Sequence, residues 1–332
     1  MRRDYKKLQQ NKKILVTGSA GFIGYHLSKA LLEYGCHVIG LDNMNPYYDV
    51  SLKELRLHLL EKYSHFQFVR EDLSNKQILE QIFTDEKPDI VVNLAAQAGV
   101  RYSIDHPDCY MQSNIIGFYN ILECCRNHPV QHLVYASSSS VYGANQKIPF
   151  STEDPTDHPV SLYAATKKSN ELMAYCYSRL YQIPATGLRF FTVYGPMGRP
   201  DMAYFKFADK IMREEPIQVY NHGDMKRDFT YIDDIVSGIL NILPNTPLEK
   251  EGVRHKVYNI GNNQPEKLMD FIETLERCLG KKAQKEFLPM QPGDVYQTFA
   301  DISDLERDFD FRPDTPIAVG IQRFTEWFLT YI

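Results

Sequence analysis

Tyr163 and Lys167 stand four residues apart in Tyr163-Ala-Ala-Thr-Lys167, downstream of a glycine run, Gly18-Ser-Ala-Gly21-Phe-Ile-Gly24. That spacing places both side chains on one face of a helix. An ammonium beside a phenol favours phenolate, so Lys167 is expected to pull the tyrosine below its free pKa of about 10. A tyrosine tuned this way takes a proton from a sugar hydroxyl near neutral pH. A nucleotide cofactor held by the glycine loop would then accept the hydride. Pair and loop together point to redox chemistry at an alcohol.

The surrounding pattern supplies elements to hold them. Ile14–Thr17, His37–Leu41, Phe66–Val69, Ile90–Asn93 and Leu133–Ala136 are short β-rich runs, and helical stretches separate them. The segment Phe22–Tyr34 has helical periodicity and stops at Gly35, a C-cap signal. Long helices are expected over 114–126 and 162–181. The strands are continuously apolar, as expected when both faces of a sheet are covered. Alternating strands and helices imply an α/β fold with a doubly wound parallel sheet. Beyond Gly187 the pattern loosens into proline and glycine clusters, with late strands at Thr186–Arg189 and Val257–Ile260. The expected organisation is a flexible arm over 1–12, a nucleotide-binding domain over 13–187 and a smaller substrate lobe over 188–332, with late elements returning to the first domain.

The glycines follow a strand and open a helix, where backbone N–H groups face a pyrophosphate. Asp42 ends the second strand, near the spacing of a carboxylate that hydrogen-bonds an adenosine ribose. No arginine follows it in sequence to accept a 2′-phosphate, so NAD is favoured over NADP.

Bulk composition narrows the rest. The 332 residues carry 37 Lys+Arg against 42 Asp+Glu, a net charge of -5, which argues against general affinity for nucleic acid or an anionic membrane. No apolar run is long enough to span a bilayer, and residues 1–13 lack the apolar core of a signal peptide. The six cysteines are irregularly spaced and read as reduced thiols. A soluble cytoplasmic enzyme is the expectation. Asp233-Asp234 reads as the acidic start of a helix rather than a metal site, so no metal is expected.

With the glycine loop, Ser137-Ser-Ser-Ser-Val-Tyr-Gly143 and Tyr163-x-x-x-Lys167 in order, the chain resembles the extended short-chain dehydrogenase/reductases from about Lys13 to Phe328. It is most similar to nucleotide-sugar 4-epimerases. Tyr47-Tyr-Asp-Val-Ser-Leu-Lys53, Arg189-Phe-Phe-Thr-Val-Tyr-Gly-Pro196 and Gly198-Arg-Pro-Asp-Met-Ala203 resemble the UDP-glucuronate 4-epimerases, which make UDP-galacturonate. The resemblance implies a Rossmann sheet holding NAD tightly, without net consumption. It implies cofactor contacts from Gly18, Gly21, Phe22, Ile23, Gly24, Asp42, Asn43, Asn114, Tyr163 and Lys167. Asp72 and Leu73 would line the adenine pocket, and Leu94, Ala95 and Ala96 would pass under the cofactor. Tyr163 would be the base, Lys167 would hold the nicotinamide ribose, and Ser138 would share the proton at the sugar O4 with Ser140 close by.

Related dehydratases and decarboxylases place acidic groups where Ser139 and Ser140 stand here. Without a carboxylate there, the simplest outcome is rotation of the 4-keto sugar and return of the hydride to its other face. Arg199, Thr192 and the serines are candidates to hold a C6 carboxylate, Arg199 through two parallel hydrogen bonds. That grip would also disfavour loss of carbon dioxide from the β-keto acid. Arg227 matches the family's diphosphate arginine and Asp294 its uridine-ribose residue, with Arg101 a second candidate for the diphosphate. Gln291 and Met197 depart from the family pattern. Thr298 stands where the family sets its tolerance for an acetamido group. A 4-epimerase of UDP-N-acetylglucosamine, its uronic acid or UDP-glucose is the closest alternative, and a dehydratase or decarboxylase is the next. The resemblance also implies a homodimer through the helices around Asn114 and Tyr163, and a product destined for surface polysaccharide.

Overall fold

A computed structural model describes residues 5–290 and 296–332. Gln291 and Asp294 therefore lie outside the described residues. The first half contains β1 (Lys13–Thr17), α1 (Phe22–Tyr34), β2 (His37–Asp42), α2 (Val50–Leu60), β3 (Phe66–Arg70), α3 (Lys76–Glu86) and β4 (Ile90–Asn93). It continues with two single turns, α4 (Tyr102–Asp105) and α5 (Pro107–Tyr110), then α6 (Gly117–Asn127), β5 (His132–Ser138), α7 (Leu162–Tyr181) and β6 (Ala185–Phe190). The second half contains β7 (Thr192–Tyr194), α8 (Ala203–Met212), β8 (Ile217–Val219), β9 (Lys226–Tyr231), α9 (Ile232–Ile242) and β10 (His255–Ile260). It ends with β11 (Pro265–Lys267), α10 (Leu268–Leu279), β12 (Lys285–Phe287), α11 (Ser303–Phe309) and α12 (Ile317–Tyr331).

Seven strands form one parallel sheet in the order β10-β6-β5-β4-β1-β2-β3. Strand order reverses between β1 and β4, which opens a crevice beyond their carboxyl ends. The apolar strands are buried on both faces, as their composition demands. In β1, Ile14 and Val16 join one apolar core while Leu15 joins the other. A three-stranded sheet, β11-β9-β7, and a pair, β12-β8, lie in the second half.

Local chemistry sets the helix ends that matter. Gly35 closes α1 with φ at 96°, and its N–H meets the carbonyls of Leu31 and Leu32. The Ser161 hydroxyl accepts the Ala164 N–H at 3.1 Å and caps α7, fixing where Tyr163 begins its helix. The helix expected over 114–126 divides into a π-helical turn, Met111–Ile116, followed by α6. Gly117 stands at the joint, and a Cβ there would sit 2.7 Å from that of Leu73. The arm expected to be free is held down from Tyr5 onward. Leu8 enters the core, the Leu8 carbonyl accepts Tyr34 Oη at 2.6 Å, and Lys6 and Asn245 exchange two hydrogen bonds of 3.0 Å. An apolar side chain in an otherwise polar tail supplies the anchor.

Candidate active site

One cleft runs along the carboxyl ends of the strands. At one end it is lined by Gly18, Gly21, Phe22, Ile23 and Gly24, at the other by Ser138, Tyr163, Lys167 and Arg199. Asp42, Asn43, Asp72, Leu73, Leu94, Ala95 and Ala96 complete the nucleotide-facing wall.

The glycines meet a packing demand. Gly18 has φ at +71°, and a Cβ on it would lie 2.9 Å from the Ala95 nitrogen. A Cβ on Gly24 would lie 2.0 Å from the Gly18 carbonyl oxygen. With Gly21 as its N-cap, α1 starts directly at the cleft, so free N–H groups and the helix dipole face any anion bound there. The wall fits a dinucleotide: backbone N–H groups at the turn, a buried carboxylate at the end of β2, and small side chains at Ala95 and Ala96.

Asp42 is not alone. Lys53 from α2 places its Nζ 3.5 Å from Asp42 Oδ1, with both side chains 7% exposed, and donates to Asn45 at 3.1 Å. The sequence shows no cation following Asp42, yet the fold brings one to it. Asn43 donates to Asp72 at 2.6 Å, joining the ends of β2 and β3.

The Tyr163–Lys167 pair departs from expectation. Both line the cleft, but Lys167 Nζ donates to the Ala136 carbonyl of β5 at 2.9 Å. Burial lowers Lys167 to about 8. Tyr163 is raised rather than lowered; burial dominates, while a hydrogen bond from Ser138 and the charge of Arg199 pull the other way. A shared helix face brings the two side chains together, but β5 captures the ammonium. The positive charge acting on the phenol is Arg199, from a distant loop.

Ser138 ends β5, and its hydroxyl lies 3.1 Å from Ser140 Oγ and accepts the Ser140 N–H at 3.2 Å. Ser139 and Ser140 begin a 3₁₀ turn and do not line the cleft. Beneath this turn is a buried ion pair. Arg189 grips Glu171 through two bonds of 2.8 Å, Ser137 donates to the same carboxylate at 2.6 Å, and Arg189 also reaches Tyr142 at 3.0 Å. The pair holds α7 to β5 and β6 one helical turn from Lys167.

Asn114 lies behind the cleft wall. Its side chain accepts the Gln97 N–H at 2.8 Å and donates to Gln97 O and Thr166 Oγ1 at 3.1 and 3.0 Å. Thr192 opens β7 between Phe191 and Val193, which do line the cleft. Arg227 donates to the carbonyls of Lys226 and Tyr296, 2.9 and 3.2 Å away. Arg101 stacks over Tyr220 at 5.6 Å. Neither arginine lines the cleft. Thr298 accepts the Asp228 N–H at 3.1 Å.

Residues that sequence reasoning did not single out organise the Arg199 end. Arg56, fully buried, donates to the carbonyls of Ala20, Met197 and Gly198 at 2.9, 2.7 and 3.1 Å and to Tyr48 Oη at 2.8 Å. It joins the glycine loop to the Met197–Asp201 loop. His26, lowered to about 4 by burial, meets the Pro196 carbonyl at 2.9 Å. Arg199 makes a two-pronged contact with Asp201, Nε to Oδ1 at 3.0 Å and Nη2 to Oδ2 at 2.6 Å. Tyr47 donates to the same Asp201 oxygen at 3.2 Å. A signal for Arg56 was present: Leu52, Arg56 and Leu60 share the buried stripe of α2, and a cation in an apolar stripe must have partners.

Residues 14–261 match the family model described as NAD dependent epimerase/dehydratase family. The chain belongs to that family. NAD is its cofactor, and its seven-stranded parallel sheet is the family's Rossmann-like sheet. The chain is 56% identical over 331 residues to Protein CapI of Staphylococcus aureus, covering 96% of this chain and 99% of that one. It is 46% identical to a probable UDP-glucuronate 4-epimerase of Rhizobium meliloti (strain 1021), covering 95% and 96%. Among solved structures, the UDP-glucuronic acid 4-epimerase of Bacillus cereus in complex with UDP-glucuronic acid and NAD superposes with a TM-score of 0.88 at 36% identity, covering 96% and 100%.

Proposed function

We propose that this protein is a UDP-glucuronate 4-epimerase, interconverting UDP-glucuronate and UDP-galacturonate through a transient 4-keto sugar. The observation that carries the reading is one cleft in which Ser138, Tyr163 and Lys167 meet Arg199, the one guanidinium lining it among the described residues. The relatives named above for UDP-glucuronate support the substrate.

In this reading the glycine turn takes the pyrophosphate and Asp42 the adenosine ribose. Asp72 and Leu73 flank the adenine, and Lys167 holds the nicotinamide ribose. NAD, when bound, would supply a reversible hydride acceptor facing C4 of the sugar. Tyr163 takes the O4 proton and gives it back, with Ser138 sharing it. Deprotonation of a buried phenol needs nearby positive charge, and Arg199 contributes it. Arg199 and Thr192 meet the C6 carboxylate, while Arg227, Arg101 and Asp294 serve the UDP end. The turn Ser139–Tyr142 carries no carboxylate, so elimination of water lacks the acid or base it needs there.

Residues 13–187 form the nucleotide half and 188–332 the sugar half, with β10 returning to the main sheet. A homodimer is part of the proposal. Ile104, Met111 and Ile116 just before α6, Tyr119 on α6, and Leu172 and Tyr175 on α7, are exposed large apolar side chains on adjoining elements, a concentration that fits a partner copy. A cytoplasmic setting and supply of surface polysaccharide complete the reading.

Incubation of the purified protein with UDP-glucuronate, followed by chromatography of the nucleotide sugars, tests it. UDP-galacturonate approaching an equilibrium mixture without net NADH is the expected result. A pentose or keto product would replace epimerase with lyase.

A further inference from the structure

Arg199 is already paired. Its Nε and one Nη2 hydrogen go to Asp201, which leaves the two Nη1 hydrogens and the second Nη2 hydrogen for anything else. Tyr47 braces Asp201 through the oxygen that Nη2 uses, and the guanidinium lies 5.9 Å from the Tyr47 ring centre. The backbone beneath is pinned: His26 meets the Pro196 carbonyl, and Arg56 takes those of Met197 and Gly198. Any change of partner by Arg199 would therefore be a side-chain rotation over a fixed loop.

Epimerisation requires the sugar to present both faces of C4 to one hydride acceptor. A carboxylate on the next carbon but one must swing as the ring turns. A guanidinium locked onto that carboxylate resists the turn. A guanidinium left bare in a half-buried site is strongly disfavoured.

We propose that Asp201 is an internal stand-in for the substrate carboxylate, holding Arg199 while the sugar turns and so keeping the grip on the uronate loose. The inference rests on the UDP-glucuronate reading above and names a residue that sets specificity within it. Because the Arg199–Asp201 pair is neutral overall, an arriving carboxylate gains only the difference between two acidic partners.

The test is a titration of the NAD-loaded protein with UDP-glucuronate and with UDP-glucose, which lacks the carboxylate. The ratio of the two Kd values on one preparation does not depend on its active fraction. Asp201→Asn keeps the shape and removes the charge; it is expected to raise the preference for UDP-glucuronate about tenfold, the scale of one charge-assisted hydrogen bond, while kcat falls. In an Arg199→Ala background the same change is expected to leave the ratio unmoved. If Asp201→Asn does not fold, Tyr47→Phe serves. Without the Tyr47 hydroxyl, Asp201 holds Arg199 more tightly, and the ratio is expected to fall about twofold. An unchanged ratio in Asp201→Asn, or in Tyr47→Phe where that variant stands in, overturns the proposal and leaves Asp201 a scaffold residue. A wild-type protein that shows no preference for UDP-glucuronate and forms no UDP-galacturonate overturns the underlying reading, and this proposal with it.

Discussion

The two ends of the cleft are built differently. The nucleotide end is made of backbone at the ends of parallel strands, with glycines where a Cβ would collide with Ala95 or Gly18. The Arg199 end is made of side chains from segments far apart in sequence: Tyr47 and Arg56 near α2, Asp201 beyond β7, and Ser138 and Tyr163 from β5 and α7. A backbone wall is rigid and local in sequence. A side-chain wall adjusts, and its parts are legible only once the chain is folded. On the proposed reading, the cofactor end keeps its ligand in place, whereas the sugar end must let its ligand turn.

The sharpest way to separate the ends is Tyr163→Phe. It removes the proposed proton acceptor and is expected to lower kcat by roughly 10²- to 10⁴-fold, with NAD content unchanged when the protein is denatured and the released nucleotide measured. A loss of NAD as well would mean that the two ends are not separable at this residue. Arg56→Met cuts the link between them. It leaves the carbonyls of Ala20, Met197 and Gly198 without a donor and is expected to cost about 3 kcal/mol in urea unfolding, and to raise KM for the sugar more than it lowers NAD content. Gly24→Ala attacks the backbone wall alone. The new Cβ meets the Gly18 carbonyl, and a cost of about 2 kcal/mol with loss of bound NAD is expected, which equilibrium unfolding and nucleotide release both read.

The smallest effect is the pH dependence of the Glu171–Arg189 pair beneath the serine turn. Burial works against the Glu171 charge, but the Arg189 fork and the Ser137 hydrogen bond outweigh it and hold the carboxyl below its ordinary 4.5. A carboxyl lowered on folding contributes stability above the unfolded pKa and loses it as pH falls through the folded one. Stability is therefore expected to drop with acidification below 4.5, and Glu171→Gln is expected to flatten that slope in unfolding curves taken at several pH values.

Much of the nucleotide end was legible because its physics is local. A strand, a glycine turn and a helix capped by Gly35 follow one another within β1–α1, and α1 and α7 span the expected residues. The helix near Asn114 was less so. Its π-helical turn gives way to α6 at Gly117, which packs closely on Leu73, a contact between elements that no periodicity reports. Leu8, within the stretch expected to be an arm, meets the core through a contact of the same long-range kind.

The sequence by itself determined the parallel sheet, the order of its elements, the glycine turn and the presence of Tyr163 and Lys167 on one helix face, because strand composition, glycine placement and helical spacing act over short stretches of chain. Tertiary structure decided which charges meet. It gave Lys167 to the Ala136 carbonyl, Lys53 to Asp42, and Arg199 to Asp201 within reach of Tyr163. Burial and electrostatic pairing depend on distances through space, and those exist only after the chain has closed around its two cores.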